Sequence, residues 1–599
     1  MQTDTGSMRL LNIEAFLERE QLMSMGQRGN RRTKVLEFRD AETTAYAILS
    51  HRWIDPTEVD CEEIINLAKM DVEEQNEIRG RLGYKKILDT CEQAKRDGYK
   101  WVWVDTCCID TRSSAELSEA INSMYRWYEN SRVCYAYLGD VHTSSFPTLC
   151  NEAEYPRSNG WPEWFSRGWT LQEMIAPQDV RFFNKNWQSI GDKKTLARTL
   201  MLITEVPEHI LEKGLSGNRP CVAQIVSWAA HRTTTRIEDR AYSLMGLLDV
   251  NMPMLYGEGK KAFHRLQLEI IRMSNDQSIF AWGTGRDKEN FGQTGSVLAD
   301  DPSFFQDCSY IEPMDHNEFI ESIGNHVPRG DLVSVDQDCF GTFPITNRGI
   351  QIWMLLRPHR STDSVFQAWL PCRDGSSGPP VTISLALWNS NYYRYSSTGF
   401  LPTEQPLEFR QVYLRYQDTC HGITFEIDDN AVTEHFTCCD TYPSKFTGKM
   451  LTLTGASRPC VKVYSERQGS GRFAVSFGQC FGQDWLHLIN DPSWQYSWPD
   501  EGKLMLRGLE RAQSMADTPS RAELYGHIWV HHIRLPGTTW MARASRIVWE
   551  KSRVGLRIEV FQKRGSYSGL DEWRILDVEV GRFSLCAHVL LPHTFTENR

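Results

Sequence analysis

The sequence predicts an α/β fold: a parallel sheet with helices on both faces, continued by a helical extension and a mostly β C-terminal region. Three observations carry this. From about Tyr46 to Trp187 short apolar runs alternate with helical patterns, the order that gives a parallel sheet covered by helices. From about 190 to 282 the periodicity is helical. Beyond 306, alternating apolar and polar runs recur, as in GIQIWMLLRP, VTISLALW, FRQVYLRY and HIWVHHIRL.

Taken in order, TAYAILSHRW (44–53) has strand length. GYKKILDTCEQAKRDG (83–98) puts Ile87, Leu88, Cys91 and Ala94 on one helical face and ends at Gly98, a C-terminal cap. WVWVDTCCID (101–110) reads as a strand buried on both sides. AELSEAINSMYRWYEN (115–130) is helical, with Leu117, Ile121, Met124 and Tyr128 as its apolar stripe. VCYAYLGD (133–140) is the next strand, and SRGWTLQEMIAP (166–177) a short helix stopped near Ala176, because Pro177 disfavours helical geometry before it. DVRFFNKNW (179–187) is a fourth strand. CVAQIVSWAAHR (221–232), EDRAYSLMGLLDV (238–250) and KKAFHRLQLEIIRMS (260–274) are helical. The expected division is a lead-in at 1–43, an α/β core at 44–190, a helical extension at 191–282, a Gly/Ser/Asp-rich linker or loop at 283–305 and a β-rich domain at 306–599.

Composition excludes some functions. A net charge of −11 without a basic stripe gives nucleic acid no electrostatic footprint. The opening MQTDTGSMRLLNIEAF has no apolar leader, and no apolar run reaches the ~18–20 residues of a membrane span. Sixteen cysteines are scattered without a C-x-x-C pair, so buried free thiols and a cytoplasmic location are expected. YGEGKKAF (256–263) lacks the spacing of a nucleotide-triphosphate loop and reads as a helix cap. His527 and His531 share a strand face in HIWVHH, with His532 on the other, but no third metal ligand stands nearby. No metal is therefore expected.

In parallel sheets ligands sit beyond the carboxyl ends of the strands. Those ends are SHRW (50–53), DTCCID (105–110) and LGD (138–140), more polar than what precedes them. The Glu173 helix starts on the same face. Trp169 and Glu173 are four apart, hence one turn apart on one helix face, while Leu171, Met174 and Ile175 pack on the sheet. The pattern admits two readings of Glu173: a carboxylate held beside an indole at a ligand site, or a structural partner of Arg52 or Arg167. Cys107 or Cys108 beside His51 is a further nucleophile candidate, although strand-end thiols are more often simply buried.

YAILSHRW, WVWVDTCCID, SRGWTLQEM, EDRAYSLMGLLDVNMPMLYGEG and KAFHRLQLEII closely resemble the fungal heterokaryon incompatibility (HET) domain, over roughly residues 8 to 282. PITNRGIQI (344–352) looks like sequence that often follows such domains. The resemblance implies a part in the cell-death reactions of incompatible fungal hyphae. HET domains are in turn remotely similar to TIR domains, which implies a flavodoxin-like sheet. TIR enzymes that cleave NAD carry serine–x–tryptophan followed by a glutamate four residues later. Trp169 and Glu173 match that spacing, whereas Gly168 displaces the serine by one residue.

The resemblance thus implies Glu173 as the catalytic residue and Ser50, His51, Arg52, Trp53, Asp105 and Trp169 as nucleotide contacts. NAD(P)+ is the implied substrate, no cofactor is permanently bound, and self-association and a protein trigger are the implied partners. Within this reading, Arg52 pairs with the pyrophosphate, Trp53 or Trp169 stacks on an aromatic ring, and Asp105 binds ribose hydroxyls or ties down its loop. The competing expectation is a HET scaffold without turnover, its cleft filled by Trp53, Trp103 and Trp169.

Overall fold

The computed structural model describes residues 7–26, 34–54, 56–215, 219–283, 296–323 and 341–359, with shorter runs between 362 and 562. Its N-terminal half is built on one seven-stranded sheet. The strands are β1 (Ser7–Asn12), β2 (Leu36–Asp40), β3 (Tyr46–His51), β4 (Trp101–Trp103), β5 (Val133–Tyr137), β6 (Val180–Phe183) and β7 (Ser189–Asp192), in the order β2-β1-β4-β3-β5-β6-β7. The four central strands β4, β3, β5 and β6 run parallel, as the strand–helix alternation requires. The edges do not. β1 and β2 add an antiparallel pair beside β4, and β7 closes the other edge antiparallel to β6. Ser7–Asn12 and Leu36–Asp40, inside the expected lead-in, are thus part of the sheet.

The helices between these strands are α1 (Ile13–Ser24), α2 (Cys61–Asn66), α3 (Val72–Gly80), α4 (Leu82–Arg96), α5 (Asp105–Cys108), α6 (Ser114–Asn130) and α7 (Thr170–Ile175). α4 ends as its sequence dictates: Asp97 caps it and Gly98 follows at φ +85°, open to glycine without a Cβ clash. Ile87, Cys91 and Ala94 are its buried face. In α6 the Ser113 hydroxyl accepts the Glu116 N–H, and Ile121, Met124 and Tyr128 are buried. All six residues of β3 are buried, which explains its unbroken apolar run. α7 stops at Ala176, one residue before Pro177.

The run 101–110 is the clearest departure from pattern. Its strand ends at Trp103, and Asp105–Cys108 turn into α5. The Cys108 N–H donates to the Val104 carbonyl, and the Asp105 side chain accepts the Thr106 N–H. Asp105 stands in the first turn of α5, where a negative charge suits the helix start. α2 and α3 were not read from sequence at all.

The helical region holds α8 (Ala197–Thr204), α9 (Glu208–Lys213), α10 (Val222–Ser227), α11 (Asp239–Tyr242), α12 (Met245–Leu248) and α13 (Lys261–Met273). The expected helix 221–232 is cut at Ser227, because residues 229–232 switch to tighter bonds three residues back. The expected helix 238–250 splits into α11 and α12, and Asp249 terminates it in the left-handed region. The glycines of YGEG brace the approach to α13: the N–H groups of Gly257 and Gly259 both donate to Glu238.

Ser296–Ala299, inside the stretch read as linker or loop, is buried, and Val297 donates to the Arg415 carbonyl. One apolar core runs from Met8 through Val297 to Leu414, and so includes the six-stranded sheet of Ile350–His359, Thr362–Asp374 and their neighbours. Further on lie a four-stranded and a five-stranded sheet, so the C-terminal half is β-rich. His527 lies outside the described residues, as do the side chains of His531 and His532. No described helix is long and apolar enough to cross a membrane. The described cysteines are free thiols, and Cys61, Cys91, Cys107, Cys108, Cys134, Cys221, Cys308, Cys372 and Cys460 are buried.

Candidate functional site

The topology gathers chemistry at the carboxyl ends of β3 and β5. β3 lies between β4 and β5, so the helices that follow β3 and β4 leave on different sides and open a crevice there. Ser50 and His51 end β3, with Ser50 paired to Ala136 of β5. Ser50 donates to Glu173 Oε2 at 2.5 Å and accepts the Trp164 indole N–H at 2.8 Å. The serine that meets Glu173 is therefore Ser50, not Ser166, whose hydroxyl turns back to the Glu163 carbonyl.

Glu173 is 5 % exposed. Burial pushes its carboxyl up to about 8, with Asp105 adding to the rise. The Ser50 bond and the positive charges of Arg167 and Arg232 oppose it. The Tyr128 hydroxyl, which donates to the Leu49 carbonyl, also faces the carboxylate. Glu173 is thus neither a solvated helix residue nor half of an arginine pair. It is a sealed carboxyl group whose neutral form is favoured at pH 7.

A second cluster stands beside it. His51 Nε2 meets Asp105 Oδ1 at 2.9 Å, Trp53 donates its indole N–H to Asp105 Oδ2 at 2.7 Å, and Lys86 Nζ meets His51 Nδ1 at 2.7 Å. An ammonium can only donate, so Nδ1 accepts and Nε2 carries the hydrogen given to Asp105. Burial alone would raise Asp105, but His51 and the bonds from His51, Trp53 and the Thr106 N–H hold it below the usual carboxylate range. Lys86 is lowered by burial and partly restored by its ion pair with Glu58. Asp105 therefore ties the loop after β3 to α5, and Trp53 remains 46 % exposed above it.

Arg52 leaves this cluster. Its guanidinium, half exposed, pairs with Glu163, whose N–H donates to Asp140 Oδ2 at 2.8 Å. Trp169 leaves too: its indole bonds Asp239, which also accepts the Tyr256 hydroxyl at 3.0 Å. Trp103 is buried in the core against Trp127 and Tyr128, and does not fill the crevice. Cys107 is fully buried, and its thiol is driven well up by the bond it makes with Cys108 and by burial. His51 is already committed to Asp105 and Lys86, so no base is left to activate a thiol there.

Several contributors escaped sequence reading: Tyr128, Lys86, Glu58, Glu163, Trp164 and Arg232. Arg232 is buried and lowered to about 9 by desolvation, with Glu173 opposing the shift. It donates to the Arg167 carbonyl at 2.8 Å and the Thr170 hydroxyl at 2.9 Å, and so braces the first turn of α7. The only hint in the sequence is a cation ending an otherwise apolar helical run.

Gly168, the residue that displaces the serine, has a structural cause. Its N–H donates to the Thr233 carbonyl, and a Cβ there would stand 2.6 Å from Thr234 Cγ2 and 3.2 Å from Ser243 Oγ. Close passage of residues 233–235 requires glycine. Gly168→Ala is expected to cost about 1–3 kcal/mol in thermal or urea unfolding. An unchanged midpoint would show that the two segments separate freely.

Residues 46–160 match the heterokaryon incompatibility protein (HET) family, and residues 261–334 match a domain of unknown function, DUF8212. The matched HET residues include Ser50 to Trp53 and Asp105 but end before Trp164, Trp169 and Glu173. Vegetative incompatibility protein HET-E-1 of Podospora anserina is 45% identical over 230 residues, which are 38% of this chain and 16% of that protein. The similarity thus spans less than a fifth of that relative's length. A solved lectin of Xerocomus chrysenteron aligns at 11% identity over 24% of this chain and 97% of its own, but at a TM-score of 0.18 the likeness carries no argument. On the family match and on this relative, the chain carries a heterokaryon incompatibility (HET) domain.

Proposed function

We propose that this chain is an effector of a fungal incompatibility or cell-death response, and that its HET domain is TIR-like and breaks the ribosyl–nicotinamide bond of NAD(P)+ at Glu173, by hydrolysis or cyclisation. The observation that carries the reading is the Glu173–Ser50 pair: a buried carboxyl with a strongly raised pKa at the carboxyl ends of parallel strands. Such groups concentrate at catalytic sites. The central strands, numbered by themselves, have the order 2-1-3-4, which agrees with a flavodoxin-like sheet. The name of the relative in Podospora anserina supports the biological half of the proposal.

The chemistry suits one carboxylate. Nicotinamide leaves as a neutral ring and needs no proton, so the acid partner of an ordinary glycosidase is dispensable. In hydrolysis, NAD+ and water give nicotinamide, ADP-ribose and a proton. The ionised carboxylate stabilises the oxocarbenium-like ribose as the bond breaks. Resting Glu173 favours its neutral form, but a pyridinium cation brought beside it favours ionisation. Substrate thus helps to charge the group it needs. Asp105 and His51 hold the loop that carries Arg52 and Trp53, the groups assigned to the pyrophosphate and an aromatic ring. Self-association and a protein trigger belong to the same proposal.

The test is nicotinamide release by concentrated protein, beside Glu173→Gln. Release by the wild type and a loss of about 100-fold or more in the variant is the expected result. The sealing of Glu173 favours a second reading, a HET scaffold that signals by assembly. Absence of release from assembled wild type, with toxicity retained in Glu173→Gln, would establish that reading instead.

A further inference from the structure

One short turn, Glu163–Ser166, packs beside the Ser50–Glu173 pair. Glu163 pairs with Arg52, the Glu163 N–H bonds Asp140, and Trp164 donates to the Ser50 hydroxyl that itself holds Glu173. Trp164 also packs edge-on against Phe165 and Phe182, which seats the turn on β6. A single 3-10 turn thus satisfies both an exposed cation and a buried hydroxyl at the mouth of the crevice. These are the groups that a dinucleotide would need.

We propose that the turn Glu163–Ser166 is a strap standing in for ligand: Glu163 occupies the anion site of Arg52, and a diphosphate-bearing ligand displaces it, which frees Ser50 and Glu173. This rests on the nucleotide reading above and adds the residues that oppose binding. Three physical points support it. The Arg52 side of the ion pair is half exposed, so water reaches and screens it. A diphosphate offers Arg52 more charge and bidentate geometry than one carboxylate does, so it outcompetes Glu163. Asp140 faces Arg52 from the turn after β5; burial and the Glu163 charge raise its carboxyl, while the Glu163 N–H and Arg52 oppose the rise. Removal of the Glu163 charge relieves Asp140 of a like charge and leaves Arg52 open to another anion.

The hinge is local. Asn159 and Gly160 lie consecutively at φ +55° and +79°, directly before Trp161 and Pro162. The segment before them is tied to Gly160 by the Asn151 N–H, and Phe165 of the turn is itself packed against Phe146, which also packs on Phe182. The far end stays anchored, because the Ser166 carbonyl accepts the Thr233 N–H at 2.6 Å and the Trp164 carbonyl accepts the Thr170 hydroxyl at 2.6 Å, so displacement is confined to the Glu163 side chain and the Trp164 indole.

The experiment titrates ADP-ribose by calorimetry into full-length Glu173→Gln, in which turnover does not interfere. The same titration follows with Glu163→Gln added, and then with Arg52→Met added to both. Glu163→Gln is expected to tighten ADP-ribose about tenfold or more, the scale of one charge-assisted bond, and Arg52→Met is expected to abolish the gain. Trp164→Phe, which keeps an aromatic ring but gives up the indole N–H and part of the indole's volume, should tighten binding in the same direction. An unchanged Kd in folded Glu163→Gln protein, or a gain that survives Arg52→Met, overturns the strap. Nicotinamide release by wild type, measured separately, tests the cleavage reading. Release with an unchanged Kd sinks the strap alone, whereas an Arg52-dependent gain without release sinks cleavage alone.

Discussion

Glu173→Gln is expected to make the protein more stable at pH 8 while it removes any turnover. The reason is linkage. Glu173 titrates near 8 in the folded chain against an ordinary 4.5. Between these values the folded state keeps a proton that the unfolded state has lost, so wild-type stability falls as pH rises through that window. Glutamine keeps the shape, accepts the Ser50 hydroxyl and carries no charge to desolvate. Its stability lacks that fall. At ~1.4 kcal/mol per pKa unit, the variant should gain roughly 2–4 kcal/mol at pH 8 and converge with wild type near pH 4. Urea unfolding at the two pH values measures it. A variant less stable than wild type at pH 8 would mean that Glu173 sits ionised and well paired. A carboxylate that destabilises its own fold is the pattern of a site kept for function, and this measurement stands whichever functional reading is right.

Arg232→Ala carries the second large effect. The guanidinium joins the helical region to the start of α7 through the Arg167 carbonyl and Thr170, and it also bonds the Trp228 carbonyl at 3.3 Å. Removal takes this donor from the Thr170 hydroxyl and the Trp228 carbonyl, leaves the Arg167 carbonyl only the Thr170 hydroxyl, and opens a void, a loss of ~2–4 kcal/mol. Lysine cannot replace it, because one ammonium does not span the forked contacts. Arg232 also holds Glu173 down electrostatically, so Glu173 should titrate higher in the variant. Thermal unfolding reads the first effect, and the pH at which stability stops falling reads the second. An unaltered midpoint would show that α7 is set by the sheet alone and that the helical region is dispensable to it.

Much of this architecture was legible in the chain. Apolar β3 and β5, the face of α4 with its Gly98 stop, the stripe of α6 and the Pro177 limit of α7 all follow from local rules of burial, capping and backbone geometry. The same alternation pointed to the strand ends, and so to Ser50, His51, Asp105 and Glu173, which the structure places together in adjoining clusters. Arg52 and Trp169 were chosen with them, but their present partners are Glu163 and Asp239. Sequence spacing put Trp169 on the same helix face as Glu173. It could not show that the indole is drawn off by an aspartate seventy residues later.

What the sequence by itself determined is the alternation of buried strands and amphipathic helices, and the HET resemblance carried by blocks such as YAILSHRW and WVWVDTCCID. Periodicity is a local property, set by which side chains must leave water. Only the tertiary structure decided that β1 and β2 join the sheet, that 101–110 turns helical after Trp103, and that Ser50 rather than Ser166 holds Glu173. It alone placed Trp164, Tyr128 and Arg232 around that carboxyl. Those outcomes depend on groups far apart in the chain sharing one low-dielectric volume, where a hydrogen bond or an unpaired charge counts for more than any neighbour in sequence.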